Sequence, residues 1–274
     1  MFVVLEGTRA AMDNCVDDRI WWQVARGDGP VVATAIHDGH KLRAEVESAM
    51  VLADADRLRE EDPHTGQAVQ GVPNHVIACR SRFEVDLNRD IDQAVYLVAG
   101  QCWGLEIWRA PPDCALVARS RAIHAAFFRM MGEWLDDLVT SHGRFVLLDV
   151  HSYNHRRDGP KGAPTPQADA PDVNIGTFSM PRAYWAPLLD PFMEEMRGFD
   201  FNGRRLDVRE NVAFQGKGEL ARFVHHRYPA RGCAIALEFK KFYMDEWSGI
   251  PDPAELRAMR AFIDSTAAAA ETLA

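Results

Sequence analysis

The sequence predicts an α/β fold: a single domain spanning residues 1–274, three layers αβα, built on a mostly parallel mixed sheet. Three observations carry this. Val31–Ile36 (VVATAI), Phe145–Val150 (FVLLDV) and Cys233–Phe239 (CAIALEF) are short apolar runs without proline, the pattern of strands covered on both faces. The stretch Ala115–His142 places Leu116, Ile123, Phe127, Met130, Met131, Trp134, Leu135 and Leu138 on or near one helical stripe and meets a natural stop at Gly143. That length suits a crossover helix delivering the chain to the strand at Phe145. Finally, 47% hydrophobic and 26% charged residues in 274 positions suffice for one large core.

The remaining elements follow in order. MFVVLEG at the amino terminus reads as a strand, and Gly27-Asp28-Gly29-Pro30 as a turn. Lys41–Glu61 has helical spacing through Leu42, Val46, Met50 and Val51, and Pro63 and Gly66 then break the pattern. His75–Cys79 is a short apolar run, while Arg82–Asn88 alternates like a strand and ends in a tight polar cluster. Tyr96–Trp108 reads as an ordered loop, Arg156–Pro171 with its prolines as a lid, and Tyr184–Met196 as a helix. Gln215–Gly218 is a flexible turn, and a last helix runs from Ala254 to about Ala270.

A formal net charge of -9 argues against nucleic acid or anionic membrane as partner. No apolar run reaches the length of a membrane span, and the amino terminus lacks a signal-peptide pattern, so a cytoplasmic protein is expected. Five scattered cysteines without a CxxC read as reduced thiols.

Three strands culminate in His37, His151 and Glu238. In open α/β sheets the carboxyl ends of the strands carry the ligand site. Asp149 shares a strand face with His151 and could orient its ring if the other nitrogen held a metal. Histidine and carboxylate ligands from separate strand ends, with one further carboxylate as proton acceptor, are what a mononuclear catalytic metal requires. His37 and His40 form HxxH after a strand rather than inside a helix, a weak signal by itself, and the two are not both placed on the metal. Glu238, in an apolar strand, is either a general base or the partner of Lys240 or Lys241. Arg89 either clamps a substrate carboxylate or pairs with Asp86 or Asp90.

The series AIHDGH, REEDPHTG, RFEVDLNRD, VYLVAGQCWG, LLDVHS, PDVNIGT, NVAFQGKGE and ALEFKKFYMDE, from Val31 to Glu246, resembles the N-formylglutamate amidohydrolases. DLNR, DVHS and LEFKKFYMDE are its most specific pieces. The resemblance implies a zinc carboxypeptidase-like (phosphorylase/hydrolase-like) fold and one zinc ion per chain, with manganese, iron or cobalt suited to the same ligands. It implies His37, Asp62 and His151 as metal ligands, Asp62 being chosen over Glu61 or His40, and Glu238 as the catalytic carboxylate. It further implies Asn88 and Arg89 on the substrate carboxylate, and Asn174, Thr177, Asn211 and Gly216 around the substrate. The expected reaction converts N-formyl-L-glutamate to formate and L-glutamate, which would place the enzyme in histidine degradation. Lys217, interrupting the glycine turn, would fit a different acidic N-acyl amino acid. A carboxypeptidase-like peptidase acting on a small peptide and a non-catalytic metal- or ligand-binding homologue are the alternatives.

Overall fold

A computed structural model describes residues 20–273. Among these, seven strands form one sheet: β1 (Trp22–Ala25), β2 (Val31–Ala35), β3 (Asn74–Ala78), β4 (Phe145–Tyr153), β5 (Val173–Gly176), β6 (Val208–Glu210) and β7 (Gly232–Lys240). Their spatial order is β1-β3-β2-β4-β7-β5-β6. The central neighbours β3, β2, β4 and β7 run parallel, and the sheet is mixed because β1 pairs antiparallel with β3 and β5 antiparallel with β7.

Side-chain alternation divides the core into two layers. Val146, Leu148 and Val150 of β4, with Ile235 and Leu237 of β7, face α3 (Thr65–Val69), α5 (Arg182–Gly198) and α7 (Pro253–Leu273). Phe145 and Leu147, with Val32 and Ala234, face α4 (Cys114–His142) and α6 (Glu219–Arg227). Helices thus cover both faces, which explains why the central strands read as continuous apolar runs. The Asp113 side chain caps α4 by accepting from the Leu116 N–H at 2.6 Å, and Gly143 ends it with φ 81°.

Several expectations change. The helical pattern at 41–61 becomes two short helices, α1 (Ala44–Ala49) and α2 (Asp54–Glu60), because the Val51 N–H donates to the Ile107 carbonyl and pulls the intervening chain out of helix. Gly66 does not break the chain but lies inside α3. There its N–H donates to Asp38 Oδ1 at 2.9 Å, and a Cβ would lie 2.4 Å from Asp38 Oδ2. Arg82–Asn88 is a series of turns rather than a strand, since side-chain acceptors bind local N–H groups in place of a ladder: Asp86 Oδ1 accepts from Asn88 N at 2.9 Å and Ser81 Oγ from Phe83 N at 3.2 Å. β1 and α6 went unanticipated, and the expected strand at residues 1–7 lies outside the described residues. Cys79 is disulfide-bonded, correcting the reading of reduced thiols; Cys102, Cys114 and Cys233 are free, and Cys15 lies outside the described residues. No helix among the described residues is long and apolar enough to cross a membrane.

One buried histidine ties α6 to the sheet. His225 Nε2 accepts from the Ala234 N–H at 3.1 Å, so its Nδ1–H donates to Ser179 Oγ at 2.9 Å, and burial pushes its pKa down from 6.5 to about 4. Below pH 6.5 the unfolded chain takes up a proton that the folded site refuses. Stability is therefore expected to fall by as much as about 3 kcal/mol between the two pKa values. Denaturant unfolding across this range checks it: His225→Gln should flatten the slope, and an unchanged slope would assign the acid sensitivity elsewhere.

Candidate active site

Strand register assembles the centre of the site. β4 and β7 pair with His151 opposite Glu238 and Asp149 opposite Ala236, all on the α4 and α6 side of the sheet. A slip of one residue would turn Glu238 to the opposite face. His37 follows β2, the other neighbour of β4, and a hydrogen bond from Thr34 Oγ1 to Asp149 Oδ1 at 2.7 Å ties those strands at the same level.

His37, Asp62 and His151 are buried and each offers one ligand atom, all within 4.8 Å of one another. Asp62 Oδ2 lies 3.3 Å from His37 Nδ1 and 3.0 Å from His151 Nδ1. The opposite ring nitrogens face carboxylates: His37 Nε2 is 2.7 Å from Asp86 Oδ1, and His151 Nε2 is 3.1 Å from Asp149 Oδ2. Each outer carboxylate takes an N–H and leaves an Nδ1 lone pair turned inward, the tautomer a metal needs. His37 Nδ1 is buried without a hydrogen-bond partner, an open donor at the point where the three residues converge. Burial by itself raises the Asp62 pKa, but the His151 and His37 rings beside it hold the carboxyl well below the usual range. The residues present therefore fit a divalent metal with two nitrogen ligands and one oxygen ligand.

Glu61, next to Asp62, is drawn elsewhere. Its Oε2 lies 2.5 Å from His40 Nδ1 and its Oε1 accepts from Ser81 Oγ, which removes both Glu61 and His40 from the trio. Glu238 differs again. Lys240 pairs with Asp172 at 2.7 Å, and Lys241 Nζ donates to the carbonyls of Arg59 and Glu61 at 2.5 and 2.7 Å. The Glu238 carboxylate makes no hydrogen bond or ion pair among the described residues. It faces a cleft of about 700 Å³ whose lining includes His37, Asp62, Asn88, Arg89, His151, Gly216 and Glu238.

The solved structures that match include two alike along nearly the whole length. An N-formylglutamate amidohydrolase from Ralstonia eutropha JMP134 superposes with a TM-score of 0.69 at 20% identity, over 92% of this chain and 98% of that one. A gene product of Agrobacterium tumefaciens gives a TM-score of 0.63 at 16% identity, over 92% and 95%. At such identities the likeness is one of fold. No sequence among the curated proteins matches. The family model of N-formylglutamate amidohydrolase, however, matches residues 29–244. The chain belongs to this family.

Within that amidohydrolase frame, the residues implied by resemblance fall into two groups. His37, Asp62, His151 and Glu238 come together, and Asn88, Arg89 and Gly216 line the same cleft. Asn88 Nδ2 is 3.3 Å from His151 Nε2, while Arg89 donates to the Gln101 carbonyl at 3.2 Å and lies over the Tyr96 ring. Its distance to Asp86 is 3.8 Å, so the guanidinium keeps capacity for an anion. Asn174, Thr177 and Asn211 are not part of the lining. They brace the loop that is: Asn174 Oδ1 accepts from Val212 N and Ala213 N, its Nδ2 donates to the Phe214 carbonyl, and Asn211 Oδ1 accepts from Thr177 N. Gly216, with φ 74°, rests so close on Gly176 that a Cβ would lie 2.4 Å from its carbonyl carbon, fixing the loop against β5.

Sequence reasoning missed Asp86, which Tyr96 Oη and Arg82 also contact, and Ser152, whose hydroxyl donates to Asp62 Oδ1 at 3.2 Å. The signal for Asp86 was its place in DLNR, two positions before Asn88.

Proposed function

We propose that the chain is a metal-dependent deformylase that hydrolyses N-formyl-L-glutamate, or a close acidic N-acyl amino acid, to the carboxylic acid and the free amino acid. The observation that carries this is the unpaired Glu238 carboxylate set by register beside His151, in a cleft where His37, Asp62 and His151 converge. His37, Asp62 and His151 would hold one divalent ion, zinc by the family resemblance. When bound, it supplies Lewis acidity toward the acyl oxygen and an acidified water.

The rest falls to the chain. Burial pushes the Glu238 pKa up to about 7, suited to accepting a proton near neutrality and passing it on. Glu238 takes the proton of the attacking water and delivers it to the departing nitrogen; the acyl C–N bond breaks and the hydroxyl stays on the acyl carbon. Asn88 and Arg89 hold the α-carboxylate and so fix the amide over this group. Asp86 and Asp149 keep the two histidine rings turned inward. The product pair, formate and glutamate, would follow from histidine degradation upstream.

The test is elemental analysis of protein purified without added metal, with turnover of N-formylglutamate measured beside it. About one metal per chain is expected, lost together with activity in His151→Ala. A protein that stays metal-free when zinc is offered, or one that turns over equally well without metal, would end this reading.

A further inference from the structure

A second wall of the cleft is built from residues that the deformylation does not use. Glu60, Asn154 and Arg157 line it, on the segments leading into Asp62 and out of β4, whereas Asn88, Arg89 and Gly216 belong to other loops. Asn154 is 8% exposed. Its Nδ2 donates to the Arg59 carbonyl at 2.9 Å, which fixes the orientation of the amide, and its Oδ1 is buried with no partner. An orphaned buried acceptor beside a cleft calls for a donor that arrives with a ligand.

Glu60, beside it, is partnered only at long range. Its side chain is 5% exposed, and both oxygens accept from Arg157 at 3.4–3.5 Å, with Arg59 Nε at 3.5 Å from Oε1. Strong charge-assisted bonds are about 2.7–2.9 Å. Arg157 is itself 45% exposed and covers Glu60 from outside. The buried cations nearby are already committed among the described residues, Lys241 to two backbone carbonyls and Arg82 to Asp86. Acceptor capacity is therefore what remains unmet, and a carboxylate-bearing ligand would not meet it.

We infer that this wall is a subsite for an ammonium-bearing acyl group, so that the enzyme also hydrolyses N-aminoacyl amino acids, dipeptides with an acidic carboxyl-terminal residue. The inference rests on the proposed placement of the α-carboxylate at Asn88 and Arg89, which leaves the acyl half to the other wall. A formyl group carries only hydrogen on its carbonyl carbon and meets neither Asn154 nor Glu60. The volume of about 700 Å³ lies in the range of clefts that hold drug-sized ligands. The chemistry balances as in deformylation: water adds across the amide, the hydroxyl joins the acyl carbon, and the proton reaches the departing nitrogen through Glu238.

The experiment compares N-formylglutamate, N-acetylglutamate, alanylglutamate and glutamate acylated with a dicarboxylic acid on the metal-loaded enzyme. Alanylglutamate should exceed acetylglutamate in kcat/KM by about tenfold or more, the scale on which polar recognition separates substrates. Glu60→Gln and, separately, Asn154→Leu should lower the ratio of alanylglutamate to formylglutamate turnover by a similar factor, through KM. If formylglutamate is hydrolysed and alanylglutamate is no better than acetylglutamate, the subsite falls and the deformylase reading stands. Preference for the dicarboxylic acyl group would make Arg157 the recognising group and overturn the inference. Hydrolysis of alanylglutamate alone would uphold it and remove the formyl substrate, and inertness toward all four would remove both.

Discussion

Replacing Glu238 by glutamine is expected to lower turnover of N-formylglutamate by about 10²–10⁴-fold, the usual contribution of a positioned general base, while metal content and fold are kept. The geometry separates these effects. Glu238 touches no ligand of the His37, Asp62 and His151 trio by hydrogen bond or ion pair, so losing its charge removes no support from them. A second readout distinguishes a proton carrier from a passive lining group. Burial raises the Glu238 pKa from 4.5 to about 7, His151 opposing and Asp62 and Asp149 adding to the shift. In metal-free protein the folded state thus holds this proton through a range in which the unfolded chain has released it. Its stabilising contribution is complete below pH 4.5 and is lost as the pH rises through 7. The loss is about 3 kcal/mol. Chelated Glu238→Gln should therefore gain stability relative to the parent at about pH 8 and not at about pH 4. Turnover, metal per chain and unfolding at the two pH values check it. Retention of most activity would hand the proton to another group.

The same carboxylate shows how far the sequence could be read. Glu238 stands out because six of the seven residues of CAIALEF are apolar, and such a strand must be covered on both faces, as β7 is. That Glu238 lies opposite His151 is a matter of register between strands far apart in sequence, and no residue pattern encodes it. The histidines were legible for the same reason as Glu238: each closes or follows an apolar run. Glu61 and Asp62 were not separable by local pattern, because what divides them is distant: Ser81 and His40 bind Glu61, whereas the two histidines and Ser152 surround Asp62. Asn174, Thr177 and Asn211 show the opposite limit. A motif flags a polar residue near a pocket, but an amide that saturates three backbone groups of a loop looks, in sequence, like one that meets substrate. Arg82–Asn88 alternated like a strand and formed turns, since side-chain acceptors outcompeted the ladder.

Asp86→Ala should be the most damaging change that touches neither substrate nor metal. Its carboxylate is fully buried, and its two oxygens divide the work. Oδ1 accepts from His37 Nε2 at 2.7 Å and Asn88 N at 2.9 Å, and so anchors the His37 ring and the turn that carries Arg89. Oδ2 accepts from Arg82 at 2.9 Å and from Tyr96 Oη. Burial would raise the Asp86 pKa, but Arg82 and His37 hold it well below the usual carboxylate range. Removing it leaves Arg82 buried without its anion, which costs about 3–5 kcal/mol. It also frees the His37 ring, which should weaken metal binding by about 10–100-fold. Asp86→Asn separates the two roles, because an amide oxygen at the Oδ1 position still accepts from His37 and Asn88 while the amide nitrogen opposes Arg82. Metal affinity by chelator competition should therefore be largely restored in Asp86→Asn, and stability should not. Adding Arg82→Met to Asp86→Asn should return stability by removing the unmatched charge. Metal affinity that stays low in Asp86→Asn would mean that His37 requires the full charge of Asp86 and not only an acceptor to keep Nδ1 turned toward Asp62.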